Sequence, residues 1–341
     1  MRIEYITGYK FARIADFVFS EVLTKEQFNE LNPENIDILY ENNSHICYQK
    51  NQISISSESI IFCINTSLDI LFHHVKKLNI NDLVLITNQT DERVSKRIFN
   101  KLPKQFSEWY SINVDYDHKS LHPIPLGISN GYEKSLSFAE NNLTIDADLF
   151  NKEKQNLLYL SFEDRTNIRL RSGLKSYFQK YEWAKIINNK NELNEYENDL
   201  KNSNFVLCPQ GNGIDTHRIW EALYFGAIPI VKSQVGLNKF KKLPILYVEK
   251  FSDVTEDLLL SFLNNLIVDN LEQIEFQYWQ EQICGKQNKE LKQLIVNIDK
   301  KYLSYAKRKE NIKKMFFKVL NGYFRFIYKI KNKLNVHFKN I

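Results

Sequence analysis

The sequence predicts an α/β protein in which two domains, each built on a parallel sheet, face a cleft. Three observations carry that prediction. Short apolar runs alternate with amphipathic stretches at the spacing of strand–helix–strand units. The alternation stops in a polar, acidic segment at 132–156 and then restarts. With 341 residues, 43% of them hydrophobic, the chain is long for one core and suits two domains of ordinary size.

In the first half, SIIFCIN (59–65) is a short apolar run and predicts a strand; LFHHVKKL after it has helical spacing. DLVLITN (82–88) predicts a second strand, and DERVSKRIFNKL a helix that stops near Pro103. WYSINV (109–114) predicts a third strand. LHPIPLGI (121–128) is extended, because Pro123 and Pro125 exclude helix. In the second half, LLYLSF (157–162) predicts a strand, 170–180 a helix, and NELNEYENDLKNS (191–203) a polar helix. NFVLCP (204–209) is a strand, and a helix from Thr216 to Phe225 closes at Gly226. AIPIVK and PILYVE are further strands, and VTEDLLLSFLNNLI opens a helical C-terminal region. These readings set boundaries at 1–135 for an N-terminal domain, 136–156 for a linker and 157–270 for a C-terminal domain. C-terminal helices follow at 271–312, then a basic aromatic tail at 313–341.

Composition narrows the function. Charged residues at 26% and aromatics at 13% argue against disorder and against a fibrous repeat. The four cysteines, at 47, 63, 208 and 284, lie far apart without a CxxC pair, which argues against a structural zinc site or a disulfide framework. The N-terminal stretch lacks the pattern of a secretory signal, and no run approaches the ~20 apolar residues that span a bilayer. The net charge of +5 is unevenly placed. Residues 301–341 carry twelve Lys or Arg against the single acid Glu310, whereas the other 300 residues carry 34 bases and 40 acids. The tail, not the body, seeks an anionic partner.

The stretch FVLCPQGNGIDTHRIWEALYFGAIPIV (205–231) carries the chemistry. A glycine loop follows the carboxyl end of a strand, where Gly211 and Gly213 permit positive φ and close approach of backbone to a ligand. Asp215 is typed as the N-cap of the helix that follows. Bare N–H groups and the helix dipole then favour an anion such as a diphosphate. Helical spacing sends Ile219, Trp220 and Leu223 to the core and His217, Arg218 and Glu221 to the other side. Arg218 on the first turn can pair with phosphate oxygens, and Glu221 one turn later can accept from ribose hydroxyls. The competing reading is an ordinary βαβ unit whose Arg218 and Glu221 form a surface ion pair.

This run resembles the signature of the exostosin-like glycosyltransferases of bacteria and viruses: an apolar strand, Cys-Pro, a glycine loop, Arg, Trp-Glu-Ala and Gly-x-Ile-Pro. Weaker likeness reaches upstream through LLYLSFEDRTNIRLR, LITNQTDERV and WYSINVDYDHKSLHPIPLGISNGYE, so that it spans about 60–255. Gln210 stands where many members carry a basic residue or Pro. The resemblance implies two Rossmann-like domains in the GT-B arrangement, with the nucleotide-sugar donor on the C-terminal domain and the acceptor on the N-terminal one. It also implies transfer with inversion. Donor-binding residues are then Gly211, Gly213, Asp215, Thr216, His217, Arg218 and Glu221. Arg165, Asn167, Arg169 and Arg171 join them from the loop after the preceding strand; arginines there would neutralise the departing diphosphate. The resemblance favours Arg171 among them.

Inverting transfer needs one base for the acceptor hydroxyl. Asp91, after the strand at 82–88, is the first choice, ahead of Asp69 and Asp115. His73 and His74 sit in a helix and read as packed. Two Asp-x-Asp patterns, Asp115/Asp117 and Asp146/Asp148, could hold Mn²⁺ or Mg²⁺ on a diphosphate. The first defines an alternative, a metal-dependent GT-A transferase; the two alternating domains and the arginines favour charge neutralisation with no metal and no cofactor. The tail at 313–341 interleaves Phe316, Phe317, Leu320, Phe324, Ile327, Tyr328 and Ile330 with bases, the pattern of a helix lying on an anionic membrane surface, although Gly322 interrupts it. Packing on the body or nucleic-acid binding would use the same composition. The resulting expectation is a cytoplasmic enzyme, peripheral on the inner face of the membrane and binding no nucleic acid. It transfers a sugar to a surface glycan or lipid-linked glycan, such as lipopolysaccharide or capsule. A non-catalytic nucleotide- or glycan-binding module is the remaining alternative.

Overall fold

The computed structural model describes residues 4–130, 145, 147–188, 192–285 and 294–299, with 302, 304, 322 and 326. Two compact units organise the chain, one formed by Ile6–Tyr132 with Phe276–Lys314, the other chiefly by Glu133–Glu275. Residues 136–144 and 146 of the expected linker, and the tail 313–341 apart from Gly322 and Phe326, lie outside the described residues. No helix among the described residues is long and apolar enough to cross a membrane.

The N-terminal unit contains β1 (Phe17–Val18), β2 (Ser20–Thr24), β3 (Ile36–Glu41), β4 (His45–Lys50), β5 (Gln52–Ile55), β6 (Ile60–Cys63), β7 (Leu83–Thr87), β8 (Phe106–Ser111) and β9 (Leu121–Pro123). Five of them make a wholly parallel sheet in the order β1-β6-β7-β8-β9. Parallel sheets are covered on both faces, which is why IIFC and LVLIT are unbroken apolar runs, and every residue of both is buried. Phe17, Ile61, Leu85, Trp109 and Leu121 stand side by side across the five strands and enter one core with Phe72 and Leu71. The Trp109 indole donates to Thr87 Oγ1 at 2.9 Å, which satisfies the one polar atom that this burial would strand.

Three features depart from the expectations. The segment 91–102 forms only the short helix Lys96–Phe99. The third strand starts earlier, at Phe106, because Phe106, Trp109 and Ser111 are its inward residues. A meander of β2, β4 and β3, antiparallel and outside the main sheet, was not foreseen. The strand Leu294–Asn297, late in the chain, pairs antiparallel with β5 and so belongs to this unit.

The C-terminal unit contains β10 (Asn156–Ser161), β11 (Ala184–Ile187), β12 (Ser203–Leu207), β13 (Ile228–Lys232) and β14 (Leu246–Val248), again wholly parallel. Its order is β11-β10-β12-β13-β14. The chain therefore steps outward once, from β10 to β11, then returns past β10 and winds the other way. Both sheets are Rossmann-like α/β structures. Leu158, Phe205 and Ile228 align across the middle strands and are buried. The helix expected at 170–180 is split into Ile168–Arg171 and Leu174–Phe178, because Gly173 adopts φ +85° between them. The helix His217–Tyr224 ends at Gly226, whose φ is +70° and whose hypothetical Cβ would lie 2.7 Å from Leu149 Cβ; glycine is required there twice over.

Candidate active site

The reversal of strand order lies between β10 and β12, the adjacent strands whose connections leave in opposite directions. In open α/β sheets the crevice at the carboxyl ends of such a pair is where ligands bind. The loop after β10 carries Asn167 and Arg171; the loop after β12 is Cys-Pro-Gln-Gly-Asn-Gly.

The two loops are tied together by side chains. Asn167 caps Ile168–Arg171 by accepting from Leu170 N at 3.3 Å, and its Nδ2 donates to Gly211 O at 2.6 Å. Arg171 is buried. Its Nε donates to Gln210 O at 2.9 Å, Nη2 to Pro209 O at 3.1 Å and Nη1 to Glu163 O at 3.1 Å. A guanidinium that spends three donors on backbone carbonyls is a clamp for the glycine loop as well as a charge. Burial is the main cause that brings its pKa down to about 10, with Arg218 adding to it, so it stays a cation at neutral pH. A Cβ on Gly211 would lie 3.3 Å from Arg171 Nη2 and 3.5 Å from Thr166 Cγ2. Gly211 is not among the glycines with positive φ, so close approach, not the left-handed region, is what calls for glycine at 211.

The helix after the loop starts one residue later than expected. Thr216, not Asp215, is the N-cap, with extended φ and ψ and no side-chain cap bond. Asp215 turns inward, where its two oxygens accept from the Trp220 indole at 2.9 and 3.0 Å. The buried indole outcompetes the helix terminus for this carboxylate because a bare buried N–H costs more than a solvated helix end. As helical spacing requires, Ile219, Trp220 and Leu223 are buried, while His217, Arg218 and Glu221 are only partly so.

Arg218 makes no hydrogen bond or ion pair, and its Nε has no exposed surface. Thr216 Oγ1 is likewise buried and unpartnered. Glu221 accepts from Tyr196 Oη at 2.6 Å through one oxygen, so Arg218 and Glu221 are not the surface ion pair that an ordinary βαβ unit would have. Burial, with Glu221 beside it, raises the Tyr196 phenol well above its ordinary value and keeps it a donor. Burial pushes the Cys208 thiol up to about 12 although Arg218 pulls it down, so this cysteine is no nucleophile. Two partly or fully buried arginines thus stand by one loop with no carboxylate bonded to either. Burial works against the Arg218 cation, but Glu221 and the other groups around it outweigh that and hold its pKa above the usual guanidinium value.

The remaining expected residues are dispersed. Arg165 is 82% exposed in its side chain and pairs with Glu163 at 3.3 Å; Arg169 is exposed. Gly213 is buried within the loop. In the N-terminal unit, Asp91 is exposed on the loop that follows β7. Asp69 pairs with Lys101 at 3.0 Å and Asp115 with Arg93 at 3.6 Å. His74 is buried, with Nδ1 at 2.9 Å from Ile70 O and Nε2 accepting from Asp299 N at 3.0 Å, a packed residue as expected. Asp146 lies outside the described residues. Tyr196 was missed, and no local signal could have found it, because its partner is 25 residues away.

Residues 170–256 match the family model described as the RXYLT1 C-terminal domain. The matched segment begins at the Arg171 helix and runs through the glycine loop, the Arg218 helix and the last two strands of the sheet. No curated protein matches the chain. The match supports a relation to a glycosyltransferase family over this segment; it does not single out the exostosin-like enzymes.

Proposed function

We propose that the chain is an inverting glycosyltransferase of GT-B type that takes a sugar from a nucleotide-sugar donor and adds it to a glycan acceptor. One observation carries the reading: the unpaired Arg218, beside the loop that Arg171 clamps, at the strand-order reversal of the C-terminal sheet. A diphosphate is the anion that fits two guanidinium groups, a bare threonine hydroxyl and the start of a helix. Glu221, oriented by Tyr196, has its second oxygen left for a ribose hydroxyl one turn along.

The acceptor hydroxyl oxygen attacks the anomeric carbon as the bond from that carbon to the phosphate oxygen breaks. The electron pair leaves with the nucleoside diphosphate, whose added charge Arg218 and Arg171 neutralise. A carboxylate takes the hydroxyl proton, and Asp91 is our assignment for it. Neutralisation by arginine makes a metal unnecessary, and the family match supports glycosyl transfer in general. The acceptor class, a surface or lipid-linked glycan, and a peripheral position on the inner membrane face through 313–341 belong to the same proposal.

The test is turnover of a panel of nucleotide sugars, followed by release of nucleoside diphosphate with and without EDTA. One donor turned over equally in EDTA supports the proposal. Turnover that requires added Mn²⁺ replaces it with the Asp115/Asp117 alternative, and diphosphate binding without any turnover replaces it with a binding module.

A further inference from the structure

The chain returns late to the N-terminal unit, and a pair of histidines receives it. The strand Leu294–Asn297 lies antiparallel on β5, with Leu294 opposite Ile55 and Asn297 opposite Gln52. Ile298 follows into the core, and its N–H donates to Asn51 O at 3.0 Å. The hold is thin. The pairing is two-stranded and short, and Ile295 is 65% exposed. A two-stranded ribbon is marginal by itself in water, so the contacts at the segment's end decide whether it stays.

His73 and His74, in the last turn of the helix Leu68–Val75, meet that end. His74 is buried, and both of its ring nitrogens are used. Nδ1 lies 2.9 Å from Ile70 O, a carbonyl that can only accept, so Nδ1 carries the proton. Nε2 lies 3.0 Å from Asp299 N, which can only donate, so Nε2 offers its lone pair. The two partners fix the neutral tautomer. His73 stacks on Tyr302 with ring centroids 3.8 Å apart, and Tyr302 Oη donates to Asp69 O at 3.4 Å. His73 Nε2 lies 2.9 Å from Lys77 Nζ. Burial, then Lys77, holds the His73 pKa below the ordinary histidine value.

We propose that His74 is an acid-released latch for the segment 294–299: a proton on Nε2 takes the lone pair that holds Asp299 N. The proton comes from solvent, and no covalent bond of the chain breaks. An imidazolium has two N–H groups and no acceptor, so the Asp299 N–H loses its partner and meets a second donor. Lys76 and Lys77, from the same helix, oppose positive charge on the histidine pair, and Asp299, from the segment, favours it. The Asp299 carboxylate can take the new Nε2–H only after its own N–H has moved off that nitrogen, so the backbone contact is lost either way. Asp69, also on the helix, is committed to Lys101 at 3.0 Å, and the Tyr302 ring stands 6.2 Å from that of His74. The segment leads into the basic run of 301–341, so release lengthens the tether of that run to the N-terminal unit. The latch does not depend on the glycosyltransferase reading.

The test is amide hydrogen exchange of the full chain, read by mass spectrometry at about pH 7.5 and about pH 5.5 and corrected for intrinsic exchange. It is run on the wild type, His74→Gln and His73→Gln; a glutamine at 74 keeps an acceptor near the Nε2 position that does not titrate. On acidification, protection of 294–299 should fall about tenfold or more in the wild type and in His73→Gln, and less than about twofold in His74→Gln. Strands β6 and β7 should keep theirs in all three. Constant protection of 294–299 in the wild type overturns the proposal. So does an equal fall in His74→Gln, a fall that His73→Gln abolishes, or an equal loss in β6 and β7, which is general acid unfolding. If His74→Gln does not fold, carbon-edited NMR titration of the His74 ring decides: its midpoint must coincide with the loss of protection, and a midpoint elsewhere overturns the latch.

Discussion

The two sheets are built alike and wound differently. Each has five parallel strands, yet the N-terminal order follows the chain, β1-β6-β7-β8-β9, whereas the C-terminal order reverses between β10 and β12. The reversal separates the connections of two neighbouring strands and leaves their carboxyl ends open to a ligand. What fills the place differs in kind. At the C-terminal reversal the unpaired groups are the Arg218 guanidinium and the Thr216 hydroxyl, with the bonded Arg171 near them. In the N-terminal unit, which has no reversal, the meander residues Glu21 and Gln49 meet the strand ends and the unpaired groups are mostly neutral amides. The comparison teaches that two sheets of the same size and sense place different kinds of polar side chain at their strand ends.

The largest effect that would break the comparison is at Arg171. Arg171→Met strips partners from the carbonyls of Glu163, Pro209 and Gln210. At roughly 1–3 kcal/mol for each buried unsatisfied group, stability should fall on the order of 4 kcal/mol, with diphosphate binding lost as well. Denaturant unfolding checks the first part and calorimetry the second. Arg218→Met should cost far less stability. No hydrogen bond is lost in the free protein, only the attraction of Glu221 and its neighbours that outweighs the burial of the guanidinium, so Tm should fall much less than in Arg171→Met, while diphosphate affinity falls about a hundredfold, roughly 3 kcal/mol. A matching drop in Tm for both variants would erase the distinction between clamp and anion ligand.

Glu21 sharpens the other side of the comparison. Burial raises its pKa from 4.5 to about 7, with Arg13, Tyr48 and Gln89 working against that rise. Below about pH 4.5 the carboxyl is protonated folded or unfolded and costs nothing. As pH rises to about 7 the unfolded chain ionises while the folded one holds its proton, so stability is lost across that window and stays lost above it. At about 1.4 kcal/mol per pKa unit the loss from pH 5 to pH 8 is on the order of 2–3 kcal/mol. Glu21→Gln should flatten the dependence in thermal melts. An unchanged slope would place the titration elsewhere. Smallest is Gly211→Ala: its Cβ presses on Arg171 Nη2 from 3.3 Å and should weaken diphosphate binding by about 1 kcal/mol in the same calorimetric assay.

Much of the C-terminal unit was legible because its signals are local. The helix at 217–224 sorts its residues with a 3.6 period, so Trp220 inward and Glu221 outward followed from spacing alone. IPIVK and FVL are apolar runs whose neighbours, Gly226 and the glycine loop, mark their ends. Contacts across long sequence separations were not legible. Spacing could not tell that Arg171 turns inward while Arg165 and Arg169 face solvent, since Arg165 lies in the separate turn Asp164–Thr166 and Arg169 and Arg171 share a helix of only four residues. Nor could it tell that Asp215 serves Trp220 in place of the helix end. The meander escaped because its strands face different neighbours on each side and alternate poorly. Its one local mark was the Asn42 turn, where Oδ1 accepts from Ser44 N at 2.9 Å and His45 N at 2.8 Å.

The central claim is that Arg218 waits unpaired for a diphosphate. Isothermal titration of UDP, GDP, CDP and ADP into the wild type and into Arg218→Met, in EDTA, tests it most directly. The account predicts that one nucleotide binds the wild type and loses about a hundredfold in affinity in the variant, whose Tm falls far less than that of Arg171→Met. Equal affinity in the two proteins, or binding to neither, would contradict it.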